Sequence, residues 1–266
     1  MTDQRRHLPL VFIFLLVLCP SRPAGATAAM PFARGERLAY RISWAFIPAG
    51  EAVLAVAPDR PPGGGWHFVM TARTLPAIDL IYRYRERIDS YVAAGLAASL
   101  KYQKVQESSH PRDIVVRFDA GAQLARYSNY GRASEPVPIK PGTIDPLAAF
   151  YHIRSQPLPA GAILTRWITD GRELSLGRAR VVGREAVKVQ GVTYQTVVIE
   201  PDLEKVSGVF EKKEGAGMTL WITDDARRLL VKMESQVRVG SFVAELVPEE
   251  SVIPGADGNK PDLIRN

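Results

Sequence analysis

The sequence predicts an all-β protein: a strongly curved antiparallel sheet, or a β-barrel that does not quite close, with one short helix at about residues 145–154. Three observations predict it. Leu38, Tyr40, Ile42, Trp44 and Phe46 occupy alternate positions of one run. Successive strand side chains point to opposite faces, so these five large apolar groups share one face. Short β-patterned runs divided by turn residues then recur along most of the chain. A helical spacing appears once, where Leu147, Phe150, Tyr151 and Ile153 can share a stripe.

Residues 1–28 read as a secretory signal peptide. Arg5 and Arg6 form the basic start, Leu8 to Leu18 is apolar apart from Pro9, and Ala24-Gly25-Ala26-Thr27-Ala28-Ala29 supplies small residues for cleavage after Ala26, Ala28 or Ala29. The apolar run is about half of the roughly 20 residues that a spanning helix needs. Cys19 is the one cysteine, and a lipid-anchored reading would need a small residue before it. Leu18 stands there and Pro20 follows, so a cleaved, periplasmic protein is expected rather than a lipoprotein. Its mature chain has no cysteine, which excludes disulfides, thiolate chemistry and cysteine metal sites. The net charge of +6 includes a leader with three arginines and one aspartate. No lysine-rich block or basic helix occurs, so no nucleic-acid partner is expected.

The first strand is expected to run through Phe46 and to turn at Pro48-Ala49-Gly50 into Glu51–Val56. Trp66, Phe68, Met70 and Ala72 alternate in a third strand, and Leu75 to Leu80 suits a helical turn across one end of the sheet. Ile81 to Val92 reads as a long strand with Tyr82, Tyr84 and Ile88 on one face and Arg83, Arg85, Arg87 and Asp89 on the other. Leu100, Tyr102 and Lys104 mark the next strand, and Asp119-Ala120-Gly121 closes a hairpin between Ile114–Phe118 and Gln123–Tyr127. Thr143 suits the helix cap and Pro146 its first turn. The prolines before them, at 136, 138 and 141, mark where two halves of a single domain over 32–248 would meet, near 136–145. Strands follow at Ile163–Asp170, Glu173–Val182, Glu185–Val189, Val192–Glu200, Val209–Lys213, Met218–Thr223, Leu229–Val237 and Phe242–Val247. Asp170-Gly171 is a tight turn, and Gly183 is expected to end a strand. Residues 249–266 read as a flexible tail.

Several stretches, in order, resemble bacterial envelope proteins of domain-of-unknown-function family 3108. They are Gly35–Tyr40 with Ile47–Ala52; Ile81–Tyr91; Asp145–Leu147 with Tyr151–Arg154 and Leu158–Gly161; and Leu220–Asp225 with Arg228–Val231. Glu86 stands where the pattern would have aspartate. The resemblance covers roughly Phe32 to Val247 and implies an exported, β-rich protein with no assigned reaction. By analogy of shape it also suggests the curled, incompletely closed barrels of lipoprotein carriers, which says little about function by itself.

Chemistry is sparse. Outside the leader the histidines are His67, His110 and His152, without metal-ligand spacing. Nucleophile-elbow and phosphate-loop motifs are missing, and no cofactor is expected. An envelope hydrolase or transferase would have to use carboxylates such as Asp145, Asp170 and Asp224. Arg83, Arg85 and Arg87 form a basic face that either meets an anionic headgroup or is balanced by carboxylates of neighbouring strands. Tyr40, Trp44, Phe46, Trp66, Tyr82 and Tyr84 would line the concave side of the sheet. If the helix plugs the concavity they are core; if it covers only part, they wall a cavity able to hold an acyl chain. The function expected is therefore non-enzymatic: binding of a lipid-like ligand, or of an envelope partner, on the concave face. A purely structural scaffold is the remaining alternative.

Overall fold

The apolar alternation at the start of the chain builds the strand on which both halves of the sheet hang. In the computed structural model, which describes residues 29–59, 61–202, 217–236, 240–254 and 261–263, β1 (Arg37–Trp44) buries Leu38 and Tyr40. On one side β1 pairs with β2 (Ile47–Val56). Antiparallel neighbours then follow in chain order: β3 (Trp66–Thr74), β4 (Arg85–Val92), β5 (Ser99–Glu107), β6 (Arg112–Asp119) and β7 (Leu124–Asn129). A one-turn helix α1 (Pro76–Asp79) crosses the end between β3 and β4. Two short pieces, β8 (Arg132–Ala133) and β9 (Val137–Pro138), fold back on β7. Helix α2 (Pro146–Ser155) comes next.

The second half is the mirror of this arrangement. β10 (Ile163–Thr169) pairs with β11 (Leu174–Val189), and the ladder continues through β12 (Val192–Asp202), β13 (Met218–Thr223), β14 (Leu230–Gln236) and β15 (Ser241–Leu246). β15 then returns to the other side of β1. Finally β16 (Val252–Pro254) touches β1 at Arg37 and pairs with β17 (Pro261–Leu263). The result is one antiparallel sheet, curled but not closed, with β7 and β10 as its outer strands. Residues 137–144 run between those two edges. Val137 pairs with Ala125 on β7, while Ile144 exchanges backbone hydrogen bonds with Trp167 and Thr169 on β10. This segment thus pairs with part of each open edge, which would otherwise invite pairing with another chain.

Several local expectations are corrected. The first hairpin turns at Ala45-Phe46, whose φ values of 45° and 72° are the left-handed pair that a two-residue turn needs to match strand twist. Pro48, Ala49 and Gly50 lie inside β2, and the irregularity they announce is a bulge opposite Ile42 and Ser43. Gly183 likewise marks a bulge in the continuous strand β11, not its end. Residues Ile81 to Tyr84 precede β4. Residues 251–254, expected to be part of a flexible tail, belong to the sheet: Ser251 is fully buried, its Oγ accepts from the Ala39 N–H, and β16 is paired. The leader and the expected strand Val209–Lys213 fall outside the described residues.

The helix caps on Asp145, not Thr143, which instead closes its own turn with Lys140. Asp145 is fully buried. Its Oδ1 accepts from the Leu147 and Ala148 N–H groups, and its Oδ2 accepts from Ser90 and Ser99 hydroxyls at 2.6 and 2.5 Å. The other end is held by Arg154, whose guanidinium grips Glu36 through two bonds of 2.6 and 2.9 Å, both side chains being buried. The helix is thereby bolted at both ends across the inner face of the sheet. Leu147, Ala148 and Tyr151 pack on Phe68, Ile88 and Val116 of the first half, while Phe150 and Ile153 lean on the second.

Candidate functional site

The plug is partial. Tyr151 stacks on Phe68 at 3.7 Å and fills one end of the concavity, but toward the β1–β2 hairpin the strands outrun the helix. A cavity of about 410 Å³ remains there. Leu147 and Phe150 form its floor; Tyr40, Met70, Met233 and Phe242 stand on its walls. Small inner side chains make the room: Ala52 and Ala72 face each other across β2 and β3, and Ala244 lies on β15. At the same end, Phe46 and Ile47 on the hairpin and Leu80 and Ile81 after α1 project into solvent, with Phe46 98% exposed.

Three of the six aromatic residues expected on the concave side, Tyr40, Tyr82 and Tyr84, wall this cavity together. Tyr40 donates its hydroxyl to the Leu230 carbonyl at 2.8 Å, leaving the ring toward the space. Trp44 is 39% exposed, opposite Phe242 and against Gly240. Phe46 does not join the inner face, because the left-handed turn swings it outward. Trp66 belongs to the opposite end of β3, edge-on to Phe32 at 5.0 Å under the Arg34 guanidinium.

A second, polar chamber of about 460 Å³ adjoins the first across Tyr82 and Tyr84, which line both. Lys104, Arg112 and Arg172 bring three cations to it and Asp170 one carboxylate; His110 and Tyr102 are also on its walls. Lys104 is 8% exposed and pairs with buried Glu86 at 3.0 Å, and Glu86 also accepts from the Tyr84 hydroxyl. The Tyr102 hydroxyl is buried without a hydrogen-bond partner. Burial pushes its phenol well above the usual range, so it remains an O–H donor. Lys104 was not expected in the site; its parity with Tyr102 on β5 was the signal that could have placed it inward. Arg172 had no such signal, because it arrives on the β10–β11 turn. That turn seats against Val116 and Tyr127 so closely that a Cβ on Gly171 would come within 2.7 Å of Val116.

The basic face formed by β4 and the residue Arg83 before it is balanced. Arg83 faces Glu107 at 3.6 Å, Arg85 binds Asp79 at 2.5 Å and Arg87 binds Asp89 at 2.7 Å. Nor do the three carboxylates converge as a hydrolase would require. Asp145 is sealed under the helix, Asp170 Oδ1 caps the Arg172 N–H in one turn, and Asp224 pairs with Arg184 in another. Among the described residues no group of three His, Cys, Asp or Glu side chains is placed to hold a metal ion, and no helix is long and apolar enough to cross a membrane.

His67 has a different role. Its Nδ1 lies 3.1 Å from Asp59 and its Nε2 2.8 Å from Asp89. Ionised carboxylates only accept, so this placement on both sides of the ring favours the doubly protonated imidazolium. The bond to Asp89, then the bond to and charge of Asp59, raise its pKa above 6.5 against the opposing effect of burial. A raised histidine stabilises fully below pH 6.5 and loses that contribution as pH rises through its folded value. Thermal unfolding followed across this window should show Tm falling with rising pH in the native protein. His67→Gln should flatten that slope; an unchanged slope would contradict the ion pair.

The sequence profile of a protein family of unknown function, DUF3108, matches residues 39–247. The chain belongs to the DUF3108 family. No curated protein matches it. Among solved structures, this DUF3108 chain is similar to a β-barrel-like protein of domain-of-unknown-function family DUF1849 from Brucella abortus. The two share 10% identity and a TM-score of 0.51, with 81% of this chain and 97% of that one covered. At that identity the likeness shows the fold alone.

Proposed function

We propose that this protein is an exported, non-catalytic binding protein that holds an apolar, lipid-like ligand between α2 and the inner face of β1–β3, β14 and β15. One observation carries the reading: the curled sheet keeps about 410 Å³ of apolar space where a filled core would otherwise be. That volume falls within the roughly 300–1,000 Å³ of small-molecule sites. Ala52 and Ala72 maintain it on adjacent strands, although larger residues there would bury more apolar surface. Apolar side chains standing in water at the same end give such a ligand a surface to meet first. The leader pattern supports export.

The test is to fill the space. The neutral apolar fluorophore N-phenylnaphthylamine should brighten on binding the protein. Ala72→Trp should weaken that binding by about tenfold or more while the variant still unfolds cooperatively, because overpacking costs only about 1–3 kcal/mol. A folded Ala72→Trp protein that binds like the native one would reject the cavity as the ligand site. Docking of a partner protein on the same face would then be the better account.

A further inference from the structure

The apolar cavity and the polar chamber share a wall, and the two together have the polarity of one amphiphile. We propose that the polar chamber receives the oxyanion headgroup, carboxylate or phosphate, of the ligand whose chain occupies the apolar cavity, with Lys104 as its principal contact. The inference rests on the reading of the apolar cavity as a chain-binding site and adds the chemistry of the other end.

Charge is the first argument. The chamber wall carries Lys104, Arg112 and Arg172 with Asp170 as its one carboxylate; with Glu86 behind Lys104 counted, the cations still outnumber the carboxylates by one. Lys104 is the second. An ammonium carries three donors, and the ion pair with Glu86 at 3.0 Å does not engage them as a hydrogen bond, since Glu86 Oε1 is without a hydrogen-bond partner. Glu86 itself lies toward the apolar cavity and not on the chamber wall, so the ion pair holds Lys104 from behind. A buried lysine held this way costs desolvation that one carboxylate only partly offsets, and a second anion in the chamber would engage its donors. The third argument is independent of charge. Tyr102 is 1% exposed, lines the chamber and has a buried hydroxyl with no partner. Buried polar groups without partners are rare, and an oxyanion accepts from such a hydroxyl. Position completes the case: Tyr82 and Tyr84 line both spaces, so a chain lying along them passes from one to the other.

Displacement of N-phenylnaphthylamine from the purified full chain by ligands of one chain length tests this. Decanoate and decyl phosphate should displace it about tenfold more tightly than decanol, the gain expected of charge-assisted hydrogen bonds in a partly buried site. Inorganic phosphate alone should not displace it. The double variant Glu86→Gln/Lys104→Gln removes both charges without leaving either buried alone; in it the ratio of anionic to neutral affinity should fall toward one. Arg112→Gln, which orphans no buried charge, should lower the ratio a few-fold.

Equal affinity for decanol and decanoate would overturn the headgroup assignment while leaving the apolar cavity in place. Failure of every decyl compound to displace the fluorophore would overturn both readings. If inorganic phosphate raises Tm as much as decyl phosphate does, the chamber is a free-anion site and the link to the chain is wrong.

Discussion

Arg154→Met should destabilise the protein by about 3–5 kcal/mol, the cost of leaving a buried carboxylate without its partner. Glu36 is 1% exposed and Arg154 5%, and water cannot replace the lost guanidinium. Arg154 does more than pair. Its Nε and Nη2 donate to the Arg228 and Arg227 carbonyls at 2.8 and 3.2 Å. Its guanidinium also lies over the Phe32 and Tyr151 rings, 5.3 and 5.5 Å from their centres. One side chain thus joins the chain before β1, the last turn of α2 and the β13–β14 turn. Glu36→Met/Arg154→Met should recover part of the loss, because no charge is stranded, but not all of it, because the two carbonyls lose their donor. Chemical denaturation of the three variants measures this. A single-variant loss under about 1 kcal/mol would show that the helix is not held by this pair.

Tyr151→Ala should cost a similar 3–5 kcal/mol, and Tyr151→Phe should be neutral or slightly stabilising. Tyr151 is 1% exposed, stacked on Phe68 and edge-on to Phe32 at 5.1 Å. Its ring is the centre of the filled end of the concavity. Its hydroxyl is buried with no partner, so removing the oxygen relieves a desolvation penalty and loses no bond. Tyr40→Phe makes the contrast. That hydroxyl is bonded to Leu230, and its loss should cost about 1 kcal/mol. If Tyr151→Phe were the more damaging of the two, the assignment of core and bonded hydroxyl would be reversed.

Much of the architecture is legible in the sequence because strand periodicity needs only local information. Leu38, Tyr40 and Ile42 face inward as their spacing requires, and Leu147 and Tyr151 mark the buried stripe of α2. What failed is the chemistry of turns. Ala45 and Phe46 are not residues that advertise a left-handed conformation, whereas Pro48-Ala49-Gly50 looks like a turn and is a bulge. Gly183 misled for the same reason: glycine serves breaks and bulges alike. The alternation put Phe46 on the concave face, and a single turn removed it.

The candidate site was half legible. Tyr40 could be placed by parity, and Tyr82 and Tyr84 were expected beside it although they precede β4, but the cavity between them is made by what is small, at Ala52 and Ala72, and by where α2 stops. Neither can be read before the strands are paired. The Glu36–Arg154 pair joins residues 118 positions apart, and no local pattern reports it.

The proposal stands or falls on whether the space beside α2 holds a ligand. Native mass spectrometry of the protein exported to and purified from a bacterial periplasm, followed by solvent extraction, tests it most directly. The expected spectrum shows an adduct of lipid or fatty-acid mass that extraction releases and that Ala72→Trp does not carry. A protein at its bare mass, under conditions that keep lipid on a known carrier, would contradict it.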